Sequence, residues 1–234
     1  MQTIPTVARN LCPEFNEEFQ NIENIIQELR NRIKQQVKPE HPSLYPRLLW
    51  KFEIFTQLAI YRCVDLAESI LLDWEHLRIG SSFIVLRSLF ETTALMFDSA
   101  NQIEEHCEQN DFKALNKLVD RLNFSTRIED FQPFKAVNIL SVIDRINKII
   151  PVYRYHYDQL CEYSHPNHFA FMGLYGNLRN KFICDLSFHT MADKNGVQIN
   201  FSLLSVTLST AFIAIQKIEN NVPQIASIAT GGET

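Results

Sequence analysis

Glycine and proline are scarce. The 234-residue chain carries 6 Gly and 9 Pro, about half the share of an average protein, and no glycine precedes Gly80. So few turn-formers disfavour sandwiches and barrels, which reverse direction often, and favour long helices. Basic charge is also short. There are 22 Lys and Arg against 27 Asp and Glu, a net charge of −5. That balance argues against duplex DNA as a partner, since phosphate binding needs a basic face. The cysteines, Cys12, Cys63, Cys107, Cys161 and Cys184, are odd in number, widely spaced and never in CxxC. Neither a disulfide framework nor a zinc knuckle follows, and mostly buried, reduced thiols are expected.

The familiar chemical signatures are missing too. The sequence holds no Walker A loop, GxGxxG, HExxH, GxSxG or EF-hand loop, and no two ExxH motifs of the di-iron kind. Of the histidines at 41, 76, 106, 156, 165, 168 and 189, only His165 and His168 have helical ligand spacing, and Pro166 lies between them. No metal and no cofactor are therefore expected. The stretch Met1 to Thr6 lacks a basic region followed by an apolar one, so no secretory signal is expected. The longest apolar run, Leu203 to Ile215, is interrupted by Ser205, Thr207, Ser209 and Thr210, so no membrane span is expected and the cytoplasm is the compartment that fits.

What is present is helical periodicity. Pro13 sits where a helix would begin, with Glu14, Glu17 and Glu18 in the first turns. Phe15, Phe19, Ile22, Ile26, Leu29, Ile33 and Val37 then recur at helical spacing up to Pro39. Two helices apolar on more than one face follow, about Tyr45–Trp74 and Ile79–Ala100, which makes them central. Gly80 offers a neighbour a close approach. A shorter helix capped by Asn110-Asp111 follows, then a loop at Arg127–Pro133. Two more are read at Ala136–Ile150 and from Pro151 to about Ser164. The stretch 167–200 is irregular. Its Asp193-Lys194-Asn195-Gly196, flanked by alternating Phe182-Cys184-Leu186 and Val197-Ile199-Phe201, allows a short hairpin. A last helix spans about Phe201–Asn220. The expectation is an all-α chain: one helical domain over 1–234, a bundle of six to seven helices with its core at about 14–222 and a frayed tail at 223–234.

Two constellations interrupt this apolar pattern. Arg87 and Glu91 are four residues apart on an otherwise apolar helix and so share a face that should be buried or line a cavity. Asp98 lies near the same stripe, and the preceding helix offers Arg62 and Asp65 in a similar setting. Buried charges persist only when paired, so these groups form either an ion-pair network or a polar pocket. The second constellation is Tyr157-Asp158-Gln159-Leu160-Cys161-Glu162-Tyr163-Ser164-His165-Pro166-Asn167-His168. It places Tyr157, Cys161 and Ser164 on one face and His165 at the helix end, where a protonated imidazole is favoured. Ser-His-Pro is equally a helix stop. Ser164 and His165 diverge by about 100° on a helix and are a poor nucleophile and base for each other. Tyr153, Tyr157, Tyr163, Tyr175, Phe169 and Phe171, beside Arg154 and Arg179, read either as stacking platforms for bases or as a packed core edge.

The pair Arg87-Ser88-Leu89-Phe90-Glu91 together with Tyr157, Leu160, Ser164, His165 and Pro166 resembles a bacterial all-helical family of unknown function. That family is itself similar to the HEPN-type helical domains of toxin–antitoxin and phage-defence systems. The resemblance covers about residues 45–220 and implicates Arg87, Glu91, Tyr157, Ser164 and His165. The chain departs from the HEPN ribonuclease pattern, in which an arginine precedes a histidine by four to six intervening residues. Thr92, Thr93 and Ala94 stand there after Arg87, and Gln159, Leu160 and Cys161 after Arg154. The nuclease chemistry would then be absent or rearranged.

The leading expectation is a cytoplasmic helical protein that binds a ligand or protein partner through a polar pocket of Arg87, Glu91, Tyr157, Ser164 and His165, supported by Arg62, Asp65 and His168. Arg87 would hold an anion and Glu91 would orient it. One alternative is an RNA-directed effector with His165 as its catalytic acid or base. The other is a structural or self-associating module.

Overall fold

A computed structural model of the chain describes residues 3–38, 47–126, 128 and 134–232. The expected loop at Pro39, Pro42 and Pro46 and most of that at 127–133 lie outside the described residues. The chain is mostly helical, with a small antiparallel hairpin. In order come α1 (Thr6–Leu11), a 3-10 turn (Pro13–Phe15), α2 (Asn16–Asn31), α3 (Arg47–Glu75), α4 (Ile79–Glu108) and α5 (Phe112–Phe124). A two-residue parallel bridge follows, β1 (Ser125–Thr126) with β2 (Phe134–Lys135). Then come α6 (Ile139–Asn147), α7 (Tyr153–Ser164), a π-turn (Phe169–Gly173), the hairpin β3 (Gly176–Asn180) and β4 (Ile183–Leu186), and α8 (Lys194–Gly232).

The helices among the described residues exceed the six or seven expected, and several ends move. The short α1 was not anticipated. α2 stops at Asn31 rather than near Pro39, because the Gln57 side chain of α3 accepts from Lys34 N at 2.8 Å and donates to Arg32 O at 3.1 Å. Two hydrogen bonds to the backbone beyond its last turn hold the chain out of the helix. α7 does not start at Pro151. Val152 lies in the left-handed region at φ 66°, and the helix begins at Tyr153.

The larger correction is at α8. Asp193-Lys194-Asn195-Gly196 is not a hairpin turn but a helix start: Asp193 Oδ1 accepts from Gly196 N at 2.8 Å, a side-chain N-cap. The hairpin that does form pairs Gly176–Asn180 with Ile183–Leu186. Its turn is set by Asn180, whose Oδ1 accepts from Phe182 N and Ile183 N. Nor is 223–230 a frayed tail. α8 continues through Pro223, with Ile225, Ile228 and Ala229 buried and Gln224 Nε2 donating to Cys107 O at 2.6 Å.

α4 is central, in contact with α3, α8, α7 and α6. A buried polar chain ties three of these helices together. Trp74 Nε1 of α3 donates to Asn200 Oδ1 of α8, Asn200 Nδ2 donates to Ser82 Oγ of α4, and Ser82 Oγ donates to Ile79 O. Ile79–Glu108 and Lys194–Thr230 are long and apolar enough to cross a membrane by length and composition alone, and 56% of each apolar window is buried inside the protein. In the run Leu203–Ile215 the hydroxyls break the apolar pattern less than their sequence suggests. Thr207 and Thr210 return theirs to Leu203 O and Val206 O, one turn back, so they interrupt the apolar surface little.

Candidate functional site

One stripe of α4 is matched by aromatics of the antiparallel α7. Tyr153 stacks on Phe90 with centroids 4.2 Å apart, and its hydroxyl donates to Phe90 O at 3.4 Å. Tyr163 stacks on Phe83 at 4.4 Å. Between them, Tyr157 meets Arg87 and Glu91. These spacings, a turn or more apart on both helices, follow from the 3.6-residue period that places 83, 87 and 90 in one row.

Three of the expected residues therefore converge. Arg87 Nη2 donates to Tyr157 Oη at 3.4 Å, Tyr157 Oη donates to Glu91 Oε1 at 2.9 Å, and Arg87 Nε lies 3.3 Å from the same Glu91 oxygen. The guanidinium carbon also sits 5.7 Å from the Tyr157 ring centroid, a cation–π contact. The pair is less buried than its helix suggested: the Arg87 and Glu91 side chains are 25% and 31% exposed. The Arg87 Nε hydrogen is buried and misaligned for a hydrogen bond. Burial above all, then the Glu91 carboxylate, pushes the Tyr157 hydroxyl up to about 12, against the opposing pull of Arg87. Tyr157 is thus a neutral relay between a cation and an anion. For Arg87, burial works against the charge, but Tyr157, Cys161 and Glu91 outweigh it and hold the guanidinium above its ordinary value.

The other expected residues stand apart. Ser164 Oγ donates to Leu160 O at 2.7 Å, and His165, exposed at the C-cap of α7, gives its backbone N–H to Cys161 O. His168 is exposed before the π-turn. Arg62 and Asp65 are exposed on α3, and Arg62 Nε donates to Thr92 Oγ1 at 3.0 Å. Asp98 does not join Glu91. It takes both its oxygens to Arg145 of α6, each at 2.7 Å, a bidentate pair that the sequence did not reveal because its halves are 47 residues apart.

Four clefts among the described residues lie elsewhere. One of about 500 Å³ opens where the hairpin root meets the start of α4, lined by His76, Arg78, Gly80, Tyr175, Phe188 and His189 among others. Here Gly80 has its close neighbour: a Cβ in its place would lie 2.5 Å from the Tyr175 hydroxyl oxygen. Arg87, Glu91 and Tyr157 line neither this cleft nor three others of about 370, 460 and 450 Å³.

The feature missed in the sequence is the surface beyond that cleft. Phe182 is 96% exposed, Leu186 80%, Phe188 79% and Leu178 63%, and Phe169, Phe171 and Ile183 are exposed with them. Cys184, on the same strand, is the one exposed thiol among the cysteines. The alternating Phe182, Cys184 and Leu186 marked a strand but gave no sign that these side chains stay exposed.

No protein-family model matches the chain, and neither a curated protein nor a solved structure matches it.

Proposed function

We propose that this chain is a protein-binding module, a helical body that presents the apolar surface of residues 169–188 to a protein partner. The observation that carries the reading is the exposure of Leu178, Phe182, Leu186 and Phe188 on a projecting two-stranded hairpin. Single exposed apolar residues are ordinary, but a contiguous group on a feature that scarcely touches the body is the mark of an interaction site. A hairpin of this size is marginal alone in water and gains stability when a partner covers it. The Arg87–Tyr157–Glu91 group then serves to fix α7, and through it the π-turn and the hairpin root, against α4. In this reading the polar group positions the binding surface rather than being the surface. The RNA-directed alternative would need Arg87 free to meet phosphate, and its guanidinium is engaged by Tyr157 and Glu91.

The test is a photo-reactive benzoylphenylalanine at position 182 of the full chain in its native cell. Irradiation should yield a discrete adduct with a protein, lost when Leu186→Asp is added. The same probe at Leu58, exposed on α3, should give none. Adducts equally abundant from both positions, or none from 182, would overturn the proposal.

A further inference from the structure

We infer that the partner of the hairpin is a second copy of this chain, joined β4 to β4 across a two-fold axis. The inference rests on the reading of the hairpin as a protein-binding surface and names its occupant. Three observations select this occupant. The first is area. Taking roughly 200 Å² for a fully exposed aromatic side chain, the exposed apolar groups of the 169–188 segment amount to on the order of 900 Å². Summed over the π-turn and both faces of the hairpin, that is of the order of the ~800 Å² each partner gives to a standard interface.

The second is the free edge. Among the described residues the sheet has two strands, so each has an outer edge of N–H and C=O groups that no strand there pairs. The outer edge of β3 is blunted by the register shift between Leu178 and Asn180, whereas β4 is regular. A lipid surface would cover the apolar side chains but leave that edge without hydrogen bonds in hydrocarbon, where each unmade bond is costly. Another strand of the same kind satisfies both needs.

The third is register. Residues opposed in an antiparallel pair share a face, so a two-fold pairing must place one residue opposite its own counterpart. Only centres at Cys184 or Asp185 keep most of the four-residue strand paired. A centre at Asp185 sets two carboxylates, each already paired with Arg179, side by side. A centre at Cys184 sets Leu186 opposite Phe182 and Ile183 opposite Asp185, and brings the two Cys184 side chains together. Directly opposed residues lie about 4.5–5.5 Å apart at Cα, within the span of a disulfide.

The experiment uses the full chain. Sedimentation equilibrium under reductant should give twice the 27.2 kDa chain mass, and Leu186→Asp should raise the dissociation constant at least ~30-fold, as for an interface hot spot. Diamide oxidation of the unaltered chain should form a covalent dimer whose only intermolecular disulfide joins Cys184 to Cys184, and Cys184→Ser should abolish it. A monomer at ~100 μM overturns the inference, as does a dimer cross-linked elsewhere or not at all. Co-flotation of a monomer with phosphatidylcholine vesicles overturns it in favour of a membrane. If sedimentation shows a monomer but the probe at 182 captures another protein, the inference fails while the binding-module reading stands. If the probe captures no protein, both fail.

Discussion

Residues 83–98 of α4 and residues 176–188 both carry large aromatic and branched side chains, yet the fates of these side chains are opposite. Along α4, Phe83, Leu86, Leu89 and Phe90 are buried, and Arg87, Glu91 and Asp98 each meet a polar side chain of α6 or α7. In the hairpin, Phe182 and Leu186 meet water. The difference lies in coverage rather than composition. A helix in mid-chain is enclosed by neighbours that the same chain supplies, whereas a short hairpin closed on itself leaves both faces and both edges to be covered from outside.

The comparison is most sharply drawn by truncating one phenylalanine in each region. Phe90→Ala should cost about 3–5 kcal/mol through the cavity it leaves between α4 and α7. Phe182→Ala should change the stability of the single chain by less than about 0.5 kcal/mol, because little contact is lost. Urea denaturation at low protein concentration measures both. Comparable losses would mean that the hairpin is part of the core, and the contrast would collapse.

A smaller effect tests whether the covered region depends on polar pairing as well as apolar contact. Asn200→Ala removes the acceptor of Trp74 Nε1–H and the donor to Ser82 in a site closed to water. The cost should be about 2–3 kcal/mol, most of it from leaving the indole N–H unpaired. A urea midpoint unchanged from the parent would show that the three helices are held by packing alone.

Much of α4 could be read in advance because its signals are local. Phe83, Arg87, Phe90 and Glu91 are fixed to one row by the helical period, and the convergence with Tyr157 follows once α7 packs along that row. What escaped reading depends on distant partners. Arg145 completes Asp98 only in three dimensions. Asp193 suits a turn and a helix cap for the same reason, a side-chain oxygen that accepts from a nearby N–H, and only the helix that follows decides between them. The stretch from 223 onward reads as a frayed tail, but burial of Ile225, Ile228 and Ala229 against the body outweighs the local cost of Pro223 inside the helix. For Ser164 and His165, a cap and a site share one sequence; the Ser164 hydroxyl is returned to its own helix.

The smallest effect concerns the polar relay that joins α7 to α4, and its sign is set by pH. Tyr157→Phe should cost about 1 kcal/mol at pH 7, the loss of a hydroxyl bonded to Glu91 and Arg87. In the folded chain this hydroxyl ionises near pH 12, whereas in the unfolded chain it ionises near 10. The stabilisation is therefore complete below pH ~10. Above that, the unfolded state releases its proton first, and this tyrosine should take up to ~1.4 kcal/mol per pH unit from stability until the folded pKa is reached. The phenylalanine variant lacks this loss, while Tyr153, Cys63 and Cys107, also pushed up by burial, act on both proteins alike. Urea midpoints at pH 7, 9 and 11 should show the two chains well separated at 7 and 9 and converging by 11. A gap constant across that range would mean that the Tyr157 hydroxyl titrates as it does in water, and that α7 is held to α4 by the stacking of Tyr153 and Tyr163 without the relay between them.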